Sequence, residues 1–231
     1  MAIVNLNLID SSKFTHRFTS CEIVDLPHNS QLTIVRALGH SPSPRVFLAT
    51  LTTTCTSPSN TLDLVVKLAT NAAGMLDLHM EEWAYGKLKE MQGVSIPLCY
   101  GLFEGMIHGE DVKFLLLEYC VPDRFLITEL DILEMQYQTM LALIKIHRKD
   151  LCYGKLLDSS HVIVQNGSSR ILSLSKVRPY GPSCKDISRF YDDDGVKNAE
   201  RQCWSRELVD TALHYELTER KRNRGYNFLH I

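Results

Sequence analysis

The sequence contains no C-x-x-C, no H-x-x-x-H and no H-E-x-x-H, so the spacing that builds a structural zinc site or a zinc hydrolase is missing. It has no G-x-S-x-G and no G-x-x-x-x-G-K-[ST], which removes the nucleophile elbow and the P-loop. It has no long apolar run: stretches such as Phe114-Leu115-Leu116-Leu117 are far too short to span a bilayer. No basic segment precedes an apolar one at the start, MAIVNLNLIDSSKF, so no signal peptide is expected. Charge of one sign is also lacking. A net charge of −2 gives no general attraction to nucleic acid or to acidic membranes, and neither partner is expected.

What is there has globular proportions. Charged residues make up 23% and apolar residues 45%, which argues against intrinsic disorder, and 231 residues suit one domain or two small lobes. The seven cysteines, Cys21, Cys55, Cys99, Cys120, Cys152, Cys184 and Cys203, are odd in number and widely spaced. That pattern fits free thiols in a reducing compartment, several of them buried, and a cytoplasmic location is expected. The cluster Arg220-Lys221-Arg222-Asn223-Arg224 leaves a nuclear location as the alternative, against the plainer reading of a solvated helix end.

The first half reads as strands. Cys21–Leu26, Gln31–Leu38, Arg45–Thr53 and Leu62–Leu68 are β-branched and apolar, and turn-rich pieces separate them. The period then changes. Between Met75 and Gly93, apolar residues recur at Leu76, Met80, Trp83/Ala84, Leu88 and Met91, the spacing of an amphipathic helix that ends near Gly93. Strands Ile96–Phe103 and Asp111–Tyr119 follow, joined through Glu104–Glu110. In the second half a helix is predicted from about Thr128 to His147, then a hairpin of His161–Gln165 and Arg170–Leu174 turning at Asn166-Gly167. A last helix is expected over Cys203–Tyr215.

Four stretches carry a family resemblance. Val65-Val66-Lys67-Leu68-Ala69 is placed like a third-strand lysine motif. Glu81-Glu82-Trp83-Ala84-Tyr85-Gly86-Lys87-Leu88 and Gln92-Gly93-Val94-Ser95-Ile96-Pro97-Leu98-Cys99-Tyr100-Gly101 form a helix followed by "QG", "IP" and "YG". Leu116-Leu117-Glu118-Tyr119-Cys120 looks like a hinge, and Ile146-His147 through Lys176 covers the expected catalytic and metal loops. Over roughly residues 30–185 the chain resembles the protein kinase-like superfamily, above all the small divergent kinase-like proteins of fungi.

The resemblance implies an α+β, two-lobed kinase-like fold. Residues 1–119 would form an antiparallel sheet lobe with one helix, residues 1–20 being an N-terminal extension. Residues 120–231 would form a truncated, mainly helical second lobe. It also implies roles. Lys67 would hold nucleotide phosphates, with Glu81, preferred over Glu82 on spacing, pinning it; backbone groups of Glu118 and Cys120 would meet a base. Solvated charges are the plainer alternative for Lys67 and Glu81.

The same resemblance exposes what has been lost. Lys155 stands where the catalytic Asp belongs, Ser160 (or His161 with one residue of slippage) where the metal-binding Asn belongs, and Ser173 where the metal-binding Asp belongs. An ammonium cannot take the role of a carboxylate, and a hydroxyl is a poor ligand for a hard dication. His147-Arg148-Lys149-Asp150-Leu151 imitates a catalytic loop with one insertion, but its spacing to the following strand is wrong for Asp150. Asp192-Asp193-Asp194 reads as a solvated acidic loop. The glycine-poor turn Gly39-His40-Ser41-Pro42-Ser43-Pro44-Arg45 has two prolines without N–H donors where a phosphate-covering loop would lie.

The expectation is therefore a catalytically inactive, pseudokinase-type protein that binds a protein partner as a regulator or scaffold. It has no catalytic residues and no fixed cofactor; ATP is the candidate nucleotide and magnesium is disfavoured. Two alternatives stand beside it: an ATP-dependent phosphotransferase using a displaced carboxylate such as Asp158, and a nucleotide-independent interaction or accessory protein. Only the last quarter of the chain follows Ser173, too little for the substrate-holding helices of an ordinary protein kinase.

Overall fold

The structure, a computed structural model, describes residues 3–7, 15–20, 30–38, 44–52, 61–123, 129–153 and 161–179. The chain clusters into two compact units, Met1–Gly86 with Pro97–Cys120, and Lys87–Ile96 with Val121–Ile231. The architecture is α+β, with an antiparallel five-strand sheet and, among the described residues, two α-helices.

In the first unit, strands β1 (Ile3–Asn7), β2 (Thr15–Ser20), β3 (Ser30–Ala37), β4 (Arg45–Thr52) and β5 (Thr61–Ala69) precede helix α1 (Ala72–Lys87). Strands β6 (Cys99–Ile107) and β7 (Glu110–Glu118) follow. The antiparallel order is β3-β4-β5-β7-β6, and β1 and β2 close it into a barrel, β1 lying parallel to β3 and β2 antiparallel to β6. Residues 1–20, expected as an extension, thus supply two strands of the sheet. One set of alternating residues fills the barrel interior: Leu32, Ile34, Ala49, Leu51, Leu64, Val66, Phe103, Val112, Phe114 and Leu116. Phe103 and Phe114 stack there at 5.0 Å. The period of two that makes these residues strands also sends Val65, Lys67 and Ala69 to the opposite face.

Helix α1 begins earlier than its apolar period suggests, because Asn71 caps it. Its Oδ1 accepts the Gly74 N–H at 2.8 Å. The helix also ends earlier. One 3-10 turn, Lys89–Met91, follows it, and the Met91 carbonyl accepts the N–H groups of Ser95 (2.9 Å), Val94 and Ile96 (both 3.2 Å). Gly93, at φ 74, closes that turn rather than the helix itself. Strand β6 starts at Cys99 instead of Ile96, since Pro97 has no N–H and Leu98 is gripped from the side by Glu118. The expected Glu104–Glu110 connection is mostly strand. Glu104 faces Lys113 and Ile107 faces Glu110 across the ladder, leaving His108 (φ 51) and Gly109 (φ 86) as the turn.

In the second unit, α2 (Glu129–His147) leads to β8 (Leu151–Cys152), β9 (Val162–Gln165), β10 (Ser168–Ile171) and β11 (Arg178–Pro179). β9 pairs with β10 and β8 with β11, both antiparallel. The Asn166-Gly167 turn forms with both residues at positive φ (53 and 71). This two-residue turn starts β10 at Ser168, two residues before the expected Arg170. The segment Lys87–Ile96 belongs here by its bonds. Arg170 donates to the Gly93 carbonyl (2.7 Å), the Ile171 N–H to the Ser95 carbonyl (2.9 Å), and Lys149 pairs with Glu90 (2.8 Å). Asp150, at φ 57, donates its N–H to the His147 carbonyl and so belongs to the turn that ends α2.

Candidate functional site

Lys67 sits on β5 on the face away from the barrel core, opposite Val46 of β4 and Leu115 of β7. Helix α1 buries Gly74, Leu78, Glu81, Ala84 and Tyr85, a spacing of three to four that puts Glu81 in the middle of its covered stripe. The two meet. Lys67 Nζ lies 2.6 Å from Glu81 Oε1, with the side chains 8% and 1% exposed. A buried ion pair needs its geometry, because each charge has given up water. Neighbouring Glu82 turns elsewhere: its Oε1 accepts the Leu102 N–H at 3.3 Å on β6, just beyond the pairing of Ser20 with Phe103.

Around this pair the same sheet face is apolar. Val46 lies directly across from Lys67, and Leu48 across from Val65. All three apolar residues are half-buried. Cys99, which is in no disulfide, lies within electrostatic range of Lys67, Glu81 and Glu82. Burial, above all, pushes it up to about 12, so it is a protonated thiol and not a nucleophile at neutral pH.

Glu118, at the end of β7, holds Leu98 twice. Its backbone N–H donates to the Leu98 carbonyl at 2.8 Å, and its Oε2 accepts the Leu98 N–H at 2.9 Å. Burial, with the Glu118 charge second, raises Tyr100. Cys120 is buried, and its Sγ lies 4.0 Å from the Glu118 carbonyl oxygen. The structure therefore brings Lys67 and Glu81 together and gives the Glu118 side chain a structural task.

In the second unit, Ser173 follows β10 in a loop that satisfies itself. Its Oγ donates to Ser175 Oγ (3.1 Å) and receives the Ser175 N–H (3.4 Å). Its carbonyl accepts the hydroxyl of Tyr153, which is 1% exposed, at 2.6 Å. Arg178 donates to the Ser175 and Val177 carbonyls. His161 is half-buried, and its carbonyl accepts the Leu172 N–H at 2.8 Å. The Ser173 hydroxyl is thus turned into its own loop. Among the described residues no group of three or more His, Cys, Asp or Glu is gathered as a metal site, and no helix is long and apolar enough to cross a membrane. Lys155, Asp158, Ser160, the expected strand Cys21–Leu26, residues 39–43, Asp192–Asp194, the expected helix over Cys203–Tyr215 and the Arg220–Arg224 cluster lie outside the described residues.

Sequence reasoning missed three arrangements. Tyr153 lies inside the stretch that resembles the catalytic and metal loops, yet a large aromatic hydroxyl after the apolar pair Leu151-Cys152 also signals a buried bond. Asp123 binds both N–H groups of the Asn166-Gly167 turn. On α1, His79 Nε2 lies 2.8 Å from Lys113 Nζ, which also pairs with Glu104 at 3.1 Å. Burial, then the Lys113 charge, lowers His79 below its ordinary value. No family model matches this sequence, and no curated protein matches it.

Proposed function

We propose that this chain is a catalytically inactive kinase-like protein that works by binding, as a regulator or scaffold of a protein partner. The observation that carries the reading is the buried Lys67–Glu81 pair. It joins the third strand of the row β3-β4-β5 to the helix that follows it, in a five-strand sheet where a lysine of this kind would hold nucleotide phosphates. Val46, Leu48 and Val65 share the face of Lys67 and suit a planar apolar base. ATP is the nucleotide this arrangement fits.

Loss of catalysis is supported from the second unit. The serine at the metal-carboxylate position is engaged with Ser175, and Lys155 replaces the proton-accepting carboxylate in the sequence. Removing several members of one catalytic unit leaves at best positioning. A phosphotransferase that relies on Asp150 gains nothing from the geometry, since that residue is built into the end of α2.

The test is thermal stability with ATP or ADP, each with and without Mg²⁺ or Mn²⁺. ATP should raise Tm without added metal, because a ligand that binds only the folded state stabilises it by mass action. Lys67→Ala, and the paired variant Lys67→Met with Glu81→Leu, should abolish the shift. A wild-type protein whose Tm ignores every nucleotide leaves a nucleotide-independent interaction protein as the better reading.

A further inference from the structure

Asn166-Gly167 is the tip of the β9–β10 hairpin, and both residues are exposed. An Asn followed by Gly is chemically weak. The Gly amide nitrogen can attack the Asn side-chain carbonyl, and glycine has no side chain to obstruct the ring. Here that nitrogen is held. Gly167 donates its N–H to Asp123 Oδ2 at 2.9 Å, and Asn166 donates its own to Oδ1 at 3.0 Å. Asp123 is itself anchored, donating its N–H to the Val164 carbonyl at 2.8 Å. The turn keeps both residues left-handed, φ 53 and 71. Closing a five-membered ring requires the Gly167 nitrogen to leave Asp123 and swing onto the Asn166 side chain.

We propose that Asn166 is a deamidation site whose rate is set by the Asp123 carboxylate. In the reaction the Gly167 nitrogen forms a bond to Asn166 Cγ and gives its proton to solvent. Nδ2 takes up a proton from solvent, the Cγ–Nδ2 bond breaks and ammonia leaves, giving a succinimide. Water then opens the ring at either carbonyl, leaving aspartate or isoaspartate at position 166. Either product changes the hairpin. Aspartate sets a second carboxylate beside Asp123, and isoaspartate adds a backbone carbon between the paired residues Gln165 and Ser168.

The experiment is to age the full chain at neutral pH and physiological temperature and quantify aspartate and isoaspartate at position 166 by peptide mapping. A synthetic peptide of the hairpin sequence gives the unprotected rate. Wild type should deamidate far more slowly than the peptide. Asp123→Ala should be several-fold faster than wild type, and Asp123→Asn, which keeps one acceptor, should fall between them. Gln138→Ala controls for general loosening: it removes the bonds of Gln138 to the Gly167 carbonyl and the Ser169 N–H but leaves Asp123 in place, and it should stay near wild type. An Asp123→Ala rate equal to or below wild type overturns the proposal, as does equal acceleration by Gln138→Ala.

Discussion

The first unit buries an ion pair, Lys67 with Glu81, while the second unit keeps its Lys149–Glu90 pair at the surface, with side chains 41% and 64% exposed. Inside, the second unit uses hydroxyls and amides. Thr139 meets Ser169 at 2.6 Å, Gln138 accepts the Ser169 N–H, and Tyr153 donates to the Ser173 carbonyl. A hydroxyl network rigidifies a fold at small desolvation cost, whereas a buried charge pair commonly stabilises it no better than apolar residues of the same volume. Stability alone therefore accounts for the polar core of the second unit but leaves the pair in the first without a reason. The proposed nucleotide, held by the lysine, would supply that reason.

The largest effect should come from breaking the pair on one side only. Lys67→Ala removes the cation that faces the buried Glu81 carboxylate and should cost about 3–5 kcal/mol of unfolding free energy. Lys67→Met with Glu81→Leu should recover most of that loss, measured by urea titration. Recovery would show that the pair is kept for a task other than stability. In the second unit, Tyr153→Phe removes the hydroxyl bond to the half-buried Ser173 carbonyl and should cost about 1–2 kcal/mol in the same assay. Asp123→Ala should cost about 1 kcal/mol, because it frees two backbone N–H groups that water can partly satisfy.

The smallest effect is a pH dependence. His79 is lowered in the folded state, so its contribution is intact above the ordinary histidine value near 6.5 and is lost as pH falls below it. Wild-type Tm should drop more steeply on acidification than that of His79→Gln. The difference should be well under about 1 kcal/mol, since the side chain is 45% exposed. Equal slopes would remove the Lys113–His79 contact from the account.

Much of the first unit was legible. The apolar strands β3, β4, β5 and β7 carry their period of two, but the expected stripe of α1 is displaced: Leu76 is 63% exposed, and the helix covers Leu78, Glu81, Ala84 and Tyr85 instead. The lysine pair itself was legible only through the kinase-like resemblance, since period alone leaves Lys67 and Glu81 as solvated charges. Barrel closure was not legible, because the parallel pairing of β1 with β3 is a long-range choice that no local spacing encodes. The start of β6 was misjudged for a similar reason: Glu118, twenty residues away, decides it. The Asn166-Gly167 turn was read correctly, since its chemistry is local. The closed loop at Ser173 was not, since the hydroxyl of Tyr153 reaches it from across the unit.

The most direct test of the central claim is transfer or release of the γ-phosphate of ATP, with Mg²⁺ or Mn²⁺ present and the Lys67→Met, Glu81→Leu protein as reference. Wild type should release phosphate no faster than the reference. A wild-type rate clearly above it would contradict the inactive assignment and make this chain an enzyme.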